Sequence, residues 1–299
     1  MSQYFDGKDL FVGPKTTQYG SHMVMTQVAK ESKIKYVNID SRFRDEYSDQ
    51  MLASCSVTLP ERINDVHKIR ATNVEIPMSF YNVSSNNENA CFLLQYTREN
   101  NLVTATDGYY TSVSGLASSL SSNNLTYSYS VSANRTVITN GNNYDVTIRF
   151  DVDNEGKTDK YNFKNKLGWM LGFRQQSYTI DAGSSITAES MYDFNQPRYL
   201  YLVVDEYGGS GKQNSFICPL PKSLINKQIL ARITMDYKNF PFGYVLTANT
   251  GIGYLLSDTR CYTGKKDLQK LGVELVNEYG NTVNLNGLDF SVALEIEHE

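Results

Sequence analysis

The residues best placed for chemistry are four carboxylates within the nine-residue run DVDNEGKTD (151–159). Asp151, Asp153, Glu155 and Asp159 fall at positions one, three, five and nine, with Gly156 at six. Calcium loops place oxygen ligands at that spacing, and the glycine makes their sharp turn. Position twelve, where a bidentate Glu belongs, is Asn162, and the flanks read as a strand and an irregular segment instead of helices. An acidic turn with Gly also closes an ordinary hairpin. These four side chains stand as calcium candidates, and no cofactor is expected.

Proton-transfer and nucleophilic chemistry is thinly supplied. Of the three histidines, His22 and His298 lie close to the ends and His67 opens a strand. No GxSxG elbow, HExxH pair or Cys–His spacing occurs. YGGSGK (207–212) resembles a phosphate loop only superficially: Glu206 stands where the first Gly belongs, and Gln213 follows the lysine in place of Ser or Thr. A turn between strands fits it better. Cys55, Cys91, Cys218 and Cys261 are scattered without a CxxC, and small free thiols are expected of them. Sequons at Asn82, Asn124 and Asn134 fit chance in a chain rich in Asn, Ser and Thr. The chain reads as a protein that is not an enzyme, with no catalytic residue.

Aromatic side chains offer a different chemistry. Tyr109, Tyr110, Tyr127, Tyr129, Tyr199, Tyr201 and Trp169 could stack sugars or bases, although alternation within strands makes packing their default role. A net charge of −4 and a pI near 5.5, with Lys265–Lys266 the nearest thing to a basic patch, argue against a grip on nucleic-acid phosphates.

The elements that must position these groups are mostly strands. In 268–297, Leu271, Val273 and Leu275 alternate with Gly272, Glu274 and Val276, and Phe290, Val292, Leu294 and Ile296 alternate with polar neighbours. Period two marks strands with one buried face. Further strands are expected at 54–60 (ending at Pro60), 67–78, 91–97, 198–206, 214–218 and 228–236. Ile69, Ala71, Val74 and Ile76 are the inward positions expected of the second. Between them, 108–123 carries Val113, Leu116 and Leu120 at helical spacing behind Thr111 or Ser112 as cap. Strands at 125–131, 135–140 and 144–150 and a short helix at 164–173 follow.

About eight antiparallel strands with long connections predict a mainly β chain, a single jelly-roll β-sandwich carrying a small α+β insertion. The expected division is an N-terminal arm (1–32), a discontinuous jelly roll (33–98 and 197–299) and the insertion (99–196). The arm lacks either periodicity but holds aromatic and aliphatic anchors, of which Tyr4, Phe5, Leu10 and Phe11 are the expected contacts with a neighbour. No apolar run approaches the length of a membrane span, and MSQYFDGKDLFVGPK shows no signal-peptide pattern, so synthesis in the cytoplasm is expected.

Four stretches carry a family likeness: YVNIDSRFRD (36–45), VEIPMSFYNV (74–83), DGYYT with LGWMLGF (107–111 and 167–173), and RCYTGKKDLQKLGVELVNEYGNTVNLNGLDFSVALEIE (260–297). In their order and spacing the chain resembles minor capsid proteins of the nucleocytoplasmic large DNA viruses and their relatives, above all the penton, or vertex, type. That resemblance implies a single jelly roll with an inserted domain and five copies closing each fivefold vertex of an icosahedral shell. Its implied partners are further copies of itself, the major capsid protein and other minor capsid proteins, in the virion. It implies no contact with the genome, and the family supplies no catalytic residues. Two other readings stay open, a cement protein beneath the shell and a glycan-binding jelly-roll module. An insertion exposed at a vertex could also touch a host-surface glycan.

Overall fold

The structure, a computed structural model, describes residues 11–12, 27–28, 32–46, 52–96, 99–120, 125–130, 132–207, 216 and 227–299. A short ladder joins β1 (Phe11–Val12) to β2 (Gln27–Val28). A large sheet starts with β3 (Lys33–Asp40) and the 24-residue β4 (Ser54–Pro77). Seven short strands come next: β5 (Cys91–Gln95), β6 (Asn100–Thr104), β7 (Leu125–Ser130), β8 (Arg135–Asn140), β9 (Val146–Arg149), β10 (Ser177–Ile180) and β11 (Ser185–Thr187). Helices α1 (Val113–Ala117) and α2 (Leu167–Met170) lie among them. The chain then returns to the large sheet through β12 (Tyr199–Asp205), β13 (Ile229–Thr234), β14 (Val245–Asn249), β15 (Leu255–Ser257), β16 (Arg260–Asn277) and β17 (Ser291–His298).

The molecule is mainly β, and its sheets are antiparallel and curled. The large sheet runs β15-β13-β12-β16-β4-β17-β3, with β14 beside the end of β4. Two separately bonded sheets are expected of this core from the sequence; its described strands instead form one continuous hydrogen-bonded path. Its long members explain the difference. β16 covers β4 from Ser54 to Ile69 and β14 the last part, while β17 pairs with β4 on the far side from Val66 to Glu75. Register shifts along these ladders bend the strands around the core, which is the local effect of a β-bulge.

The expected strands 54–60 and 67–78 are parts of one strand, and Pro60 does not end the first. Pro60 lies where the β16 ladder jumps from Thr58 to Ile63, and the β17 ladder starts only at Val66. Its missing N–H therefore interrupts no ladder. Ile69, Ala71, Val74 and Ile76 are all buried as expected. Their parity changes between Ala71 and Val74 because Thr72 bulges out of the β17 pairing, its hydroxyl donating to the Ala293 carbonyl at 3.1 Å.

β5 is a correction of another kind. It pairs with β6 and β9, not with the large sheet, and its Phe92 and Leu94 join a separate core that runs from Val83 to Phe194. A run of alternating residues states that a strand exists but not which sheet receives it. The second core stacks Phe150 on Phe173 (5.2 Å) and packs Phe92 edge-on against Phe150 (5.8 Å). Its two small sheets are β10-β9-β5-β6 and β11-β8-β7. Helix α1 is capped as expected, Ser112 Oγ accepting from the Gly115 N–H. The helix expected at 164–173 is a 3₁₀ stretch (Lys160–Asn165) followed by the one-turn α2. The expected strand 214–218 lies outside the described residues apart from Phe216, which packs on Tyr201 across the outer face of β12. That second cover is why β12 is buried on both faces.

Candidate functional site

The acidic loop that follows β9 keeps its carboxylates for its own fold. Asp151 is buried and receives Nε and Nη2 of Arg149 at 3.1 and 3.0 Å. Asp153 Oδ1 accepts from the backbone N–H groups of Glu155 and Lys157, both at 2.9 Å. Glu155 pairs with Lys157 on the surface. Asp159 lies 2.8 Å from the ammonium of Lys166, a side chain with no exposed surface. Burial opposes ionisation of Asp159, but hydrogen bonds from Lys166 and Asn162 outweigh it and hold the carboxyl below its usual range. The four calcium candidates thus point at separate internal partners, and among the described residues no three metal-ligating side chains gather.

The other candidates are also dispersed. His67 lies 3.4 Å from Glu299, and His298 bonds the carbonyl of its neighbour Glu299. His22, Cys218 and all of YGGSGK after Tyr207 lie outside the described residues. Burial pushes the Cys55 thiol up to about 11 and raises that of Cys91, so both stay protonated near neutral pH and are poor nucleophiles. The arm residues Tyr4, Phe5 and Leu10 are outside the described residues, while Phe11 pairs through its backbone with Val28.

Most of the aromatic candidates have their faces occupied. The Arg174 guanidinium covers Trp169 at 4.0 Å, and the Arg232 guanidinium covers Tyr199 at 4.3 Å. Tyr127 packs edge-on against Phe92, and Tyr201 against Tyr199. The Tyr129 side chain is outside the described residues. Tyr109 differs. Its ring lies parallel to Phe242 at 4.8 Å, and Tyr81 lies parallel to the same Phe242 at 6.4 Å, so one exposed phenyl ring bridges two tyrosines.

Those rings border the neck between the two cores. The chain leaves β4 at Pro77 and joins the second core at Val83, and it leaves that core at Phe194 towards β12. Asn82, read from sequence only as a sequon, is buried here. Its Nδ2 donates to the carbonyls of Tyr110 (2.7 Å) and Phe194 (2.8 Å), and its Oδ1 accepts from the Tyr110 N–H (2.8 Å). Asn89 Nδ2 donates in turn to the Asn82 carbonyl at 2.9 Å. A buried, fully bonded amide at a chain crossing could not be inferred from its neighbours in sequence.

Beside the neck lies a groove of about 430 Å³. Phe80 and Tyr81 line it from the exit of β4, Asn86 from the Ser85–Asn87 turn, and Asn284 and Asn286 from the connection after β16. Asp107 closes one side, its carboxylate accepting from the Ser85 N–H (2.8 Å) and hydroxyl (2.9 Å). Among the described residues no lysine or arginine lines the groove. In an adjoining recess, burial raises the Glu278 carboxyl above its usual range against the bonds it takes from backbone N–H groups, and its Oε2 has no hydrogen-bond partner.

A second feature is the free edge of the large sheet. β3 pairs with β17 along its full length, from Lys33↔His298 to Asp40↔Ser291, and with no other strand among the described residues. Ile34 is 55% exposed and Tyr36 71% exposed on one face of this edge, and Phe43 just beyond it is 74% exposed.

Searches with the sequence find no matching protein-family model and no matching curated protein. Among solved structures the chain is similar to the mavirus penton protein, determined in selenomethionine-labelled form. The identity is 8% and the TM-score 0.43, over 89% of this chain and 99% of that one.

Proposed function

We propose that this chain is a structural subunit of an icosahedral virus shell, a minor capsid protein of the penton type, and not an enzyme. In this reading its curled β core is a jelly roll that closes five-membered rings, and the insertion hangs from one end of the core. The observation that carries the reading is the β3 edge, with Ile34 and Tyr36 exposed beside an unpaired ladder side among the described residues. Soluble monomers blunt such edges with charge, proline or a covering segment, because an open apolar edge recruits further chain. Here the edge is long: Lys33 and Lys35 alternate with Ile34 and Tyr36 along it, Lys35 is paired with Glu61, and a third exposed apolar residue, Phe43, lies just beyond.

The four stretches that resemble capsid proteins support the same reading by where they lie. YVNIDSRFRD forms β3 and its turn, and it pairs with β17 from the last stretch. VEIPMSFYNV and DGYYT meet at Asn82 and Tyr110, while Met170 of LGWMLGF lies 3.6 Å (Sδ) from the amide of Asn89, outside the four stretches. Two pairs of the stretches are thus in contact in the fold.

A head-to-tail contact with a closing rotation gives a ring. Native mass spectrometry and negative-stain microscopy of the full-length chain test the proposal. Rings of five support it; a strict monomer at high concentration, or a twofold dimer, overturns it. In an intact particle the chain belongs at the vertices beside the major capsid protein, whereas density confined beneath the facets assigns it to a cement role.

A further inference from the structure

We propose that the groove at the neck binds a neutral glycan, one or two pyranose rings in size. The volume of about 430 Å³ lies in the range of small-ligand clefts. The chemistry of the lining selects the class. Among the described residues lysine and arginine are absent from the walls and Asp107 supplies a negative charge, so phosphate, sulfate and sialic acid are disfavoured. Side-chain amides line the groove too densely for a lipid or a steroid, whose burial there would strand unbonded polar groups.

Side-chain amides both donate and accept, and vicinal sugar hydroxyls need that pairing. Asn284 uses its Oδ1 on the Asn286 N–H (2.8 Å), which leaves its Nδ2 without a protein partner among the described residues. The Asn86 side chain, on the exposed turn, likewise has no protein partner among them. Asp107, held against the same turn by its bonds from Ser85, offers the remaining lone pairs of its carboxylate as acceptors. Tyr81 and Phe80 add apolar surface for the C–H face of a sugar ring, and Phe242 and Tyr109 continue that surface as a parallel stack outside the groove. Donors, acceptors and ring faces are thus gathered at one place, from stretches far apart in the sequence.

The proposal goes beyond the shell reading and does not depend on it, since every group named belongs to a single chain. The test uses the full-length protein on a printed array of neutral, sialylated and sulfated oligosaccharides, with titration calorimetry on the neutral sugar retained best. Retention of neutral glycans, weakened about three- to tenfold by Asn86→Ala and by Asn284→Ala with melting unchanged for the exposed Asn86, supports it. No retention, retention of charged glycans alone, or affinity unchanged in both variants overturns it. The Tyr36→Lys variant is run in parallel: binding that persists in a non-assembling chain separates the groove from the ring, so either proposal can fail alone.

Discussion

Asn82 donates from Nδ2 to the Phe194 carbonyl at 2.8 Å and so ties together the two ends of the stretch that builds the second core, 112 residues apart. The same amide exchanges both of its functions with Tyr110. One side chain thereby holds three passages of the chain at the point where two separately packed cores meet. The groove lies beside this knot, so its shape depends on the knot staying tied.

Asn82→Ala is expected to cost about 3 kcal/mol, because the buried Phe194 carbonyl and the part-buried Tyr110 carbonyl and N–H lose their side-chain partner. Asn82→Asp should be nearly as harmful, since a carboxylate faces the carbonyls of Tyr110 and Phe194 where a donor is needed. Urea unfolding of the two variants checks both values. A loss below about 1 kcal/mol for alanine would mean that the neck is held by packing instead.

Parts of this arrangement are legible in the sequence and parts are not, for physical reasons. The alternation in β17 and the end of β16 needs only local sterics and one buried face, and Val292, Leu294 and Ile296 are all fully buried. The cap of α1 is equally local. The sheet that receives β5 is not legible, because pairing is decided by residues far along the chain, here Thr147 to Arg149 on β9. Pro60 reads as a strand end because sequence does not show that its ladder position is skipped. The acidic loop shows its charges but not their partners: Lys166 is seven residues beyond Asp159 and turns inward through a 3₁₀ stretch. The groove is invisible in sequence, being assembled from separate stretches whose Asn residues each read as ordinary turn formers.

Gly172 and Gly183 separate steric from conformational cost. Both have positive φ, +99° and +68°, but a Cβ on Gly172 would lie 2.2 Å from the Ser190 carbonyl oxygen, whereas one on Gly183 meets nothing within 4 Å. Gly183→Ala should therefore cost only the left-handed backbone term, about 1 kcal/mol. Gly172→Ala must also push apart two backbone segments and should cost at least about 3 kcal/mol. Hydrogen exchange should show loss of protection in the insertion core around Phe150 and Phe173. Equal melting temperatures for the two variants would contradict the close approach of Gly172 to the Ser190 carbonyl.

Glu278 should make the junction sensitive to pH. Burial raises its carboxyl above the ordinary glutamic acid value. The folded state then holds the proton more tightly than the unfolded chain does. Its contribution is fully present below the unfolded value and is lost as pH rises through the native one. Glu278→Gln keeps the shape without the charge, so it should raise stability at neutral pH and flatten the pH profile across that window. Melting temperatures of both proteins from about pH 4 to about pH 8 measure this, and parallel profiles would reject a role for Glu278.

The edge strand separates folding from association. Tyr36 and Ile34 are mostly exposed, so Tyr36→Lys and Ile34→Lys should change stability by no more than about 0.5 kcal/mol. The inward residues of the same strand behave differently: Ile39 is 1% exposed, and Ile39→Ala should cost about 2–4 kcal/mol by opening the core. The native edge already carries Lys33 and Lys35, the latter neutralised by Glu61; a further lysine on the face of Ile34 and Tyr36 has no such partner and must be desolvated if another chain packs there. Tyr36→Lys should thus shift ring to monomer while the melting temperature stays within a degree or two, and the double variant should leave no ring at micromolar concentration. Sedimentation velocity reads the assembly and calorimetry reads the fold. If the double variant still forms rings, the subunit contact lies on another face of the sheet, and the β3 edge loses its place in the proposed vertex.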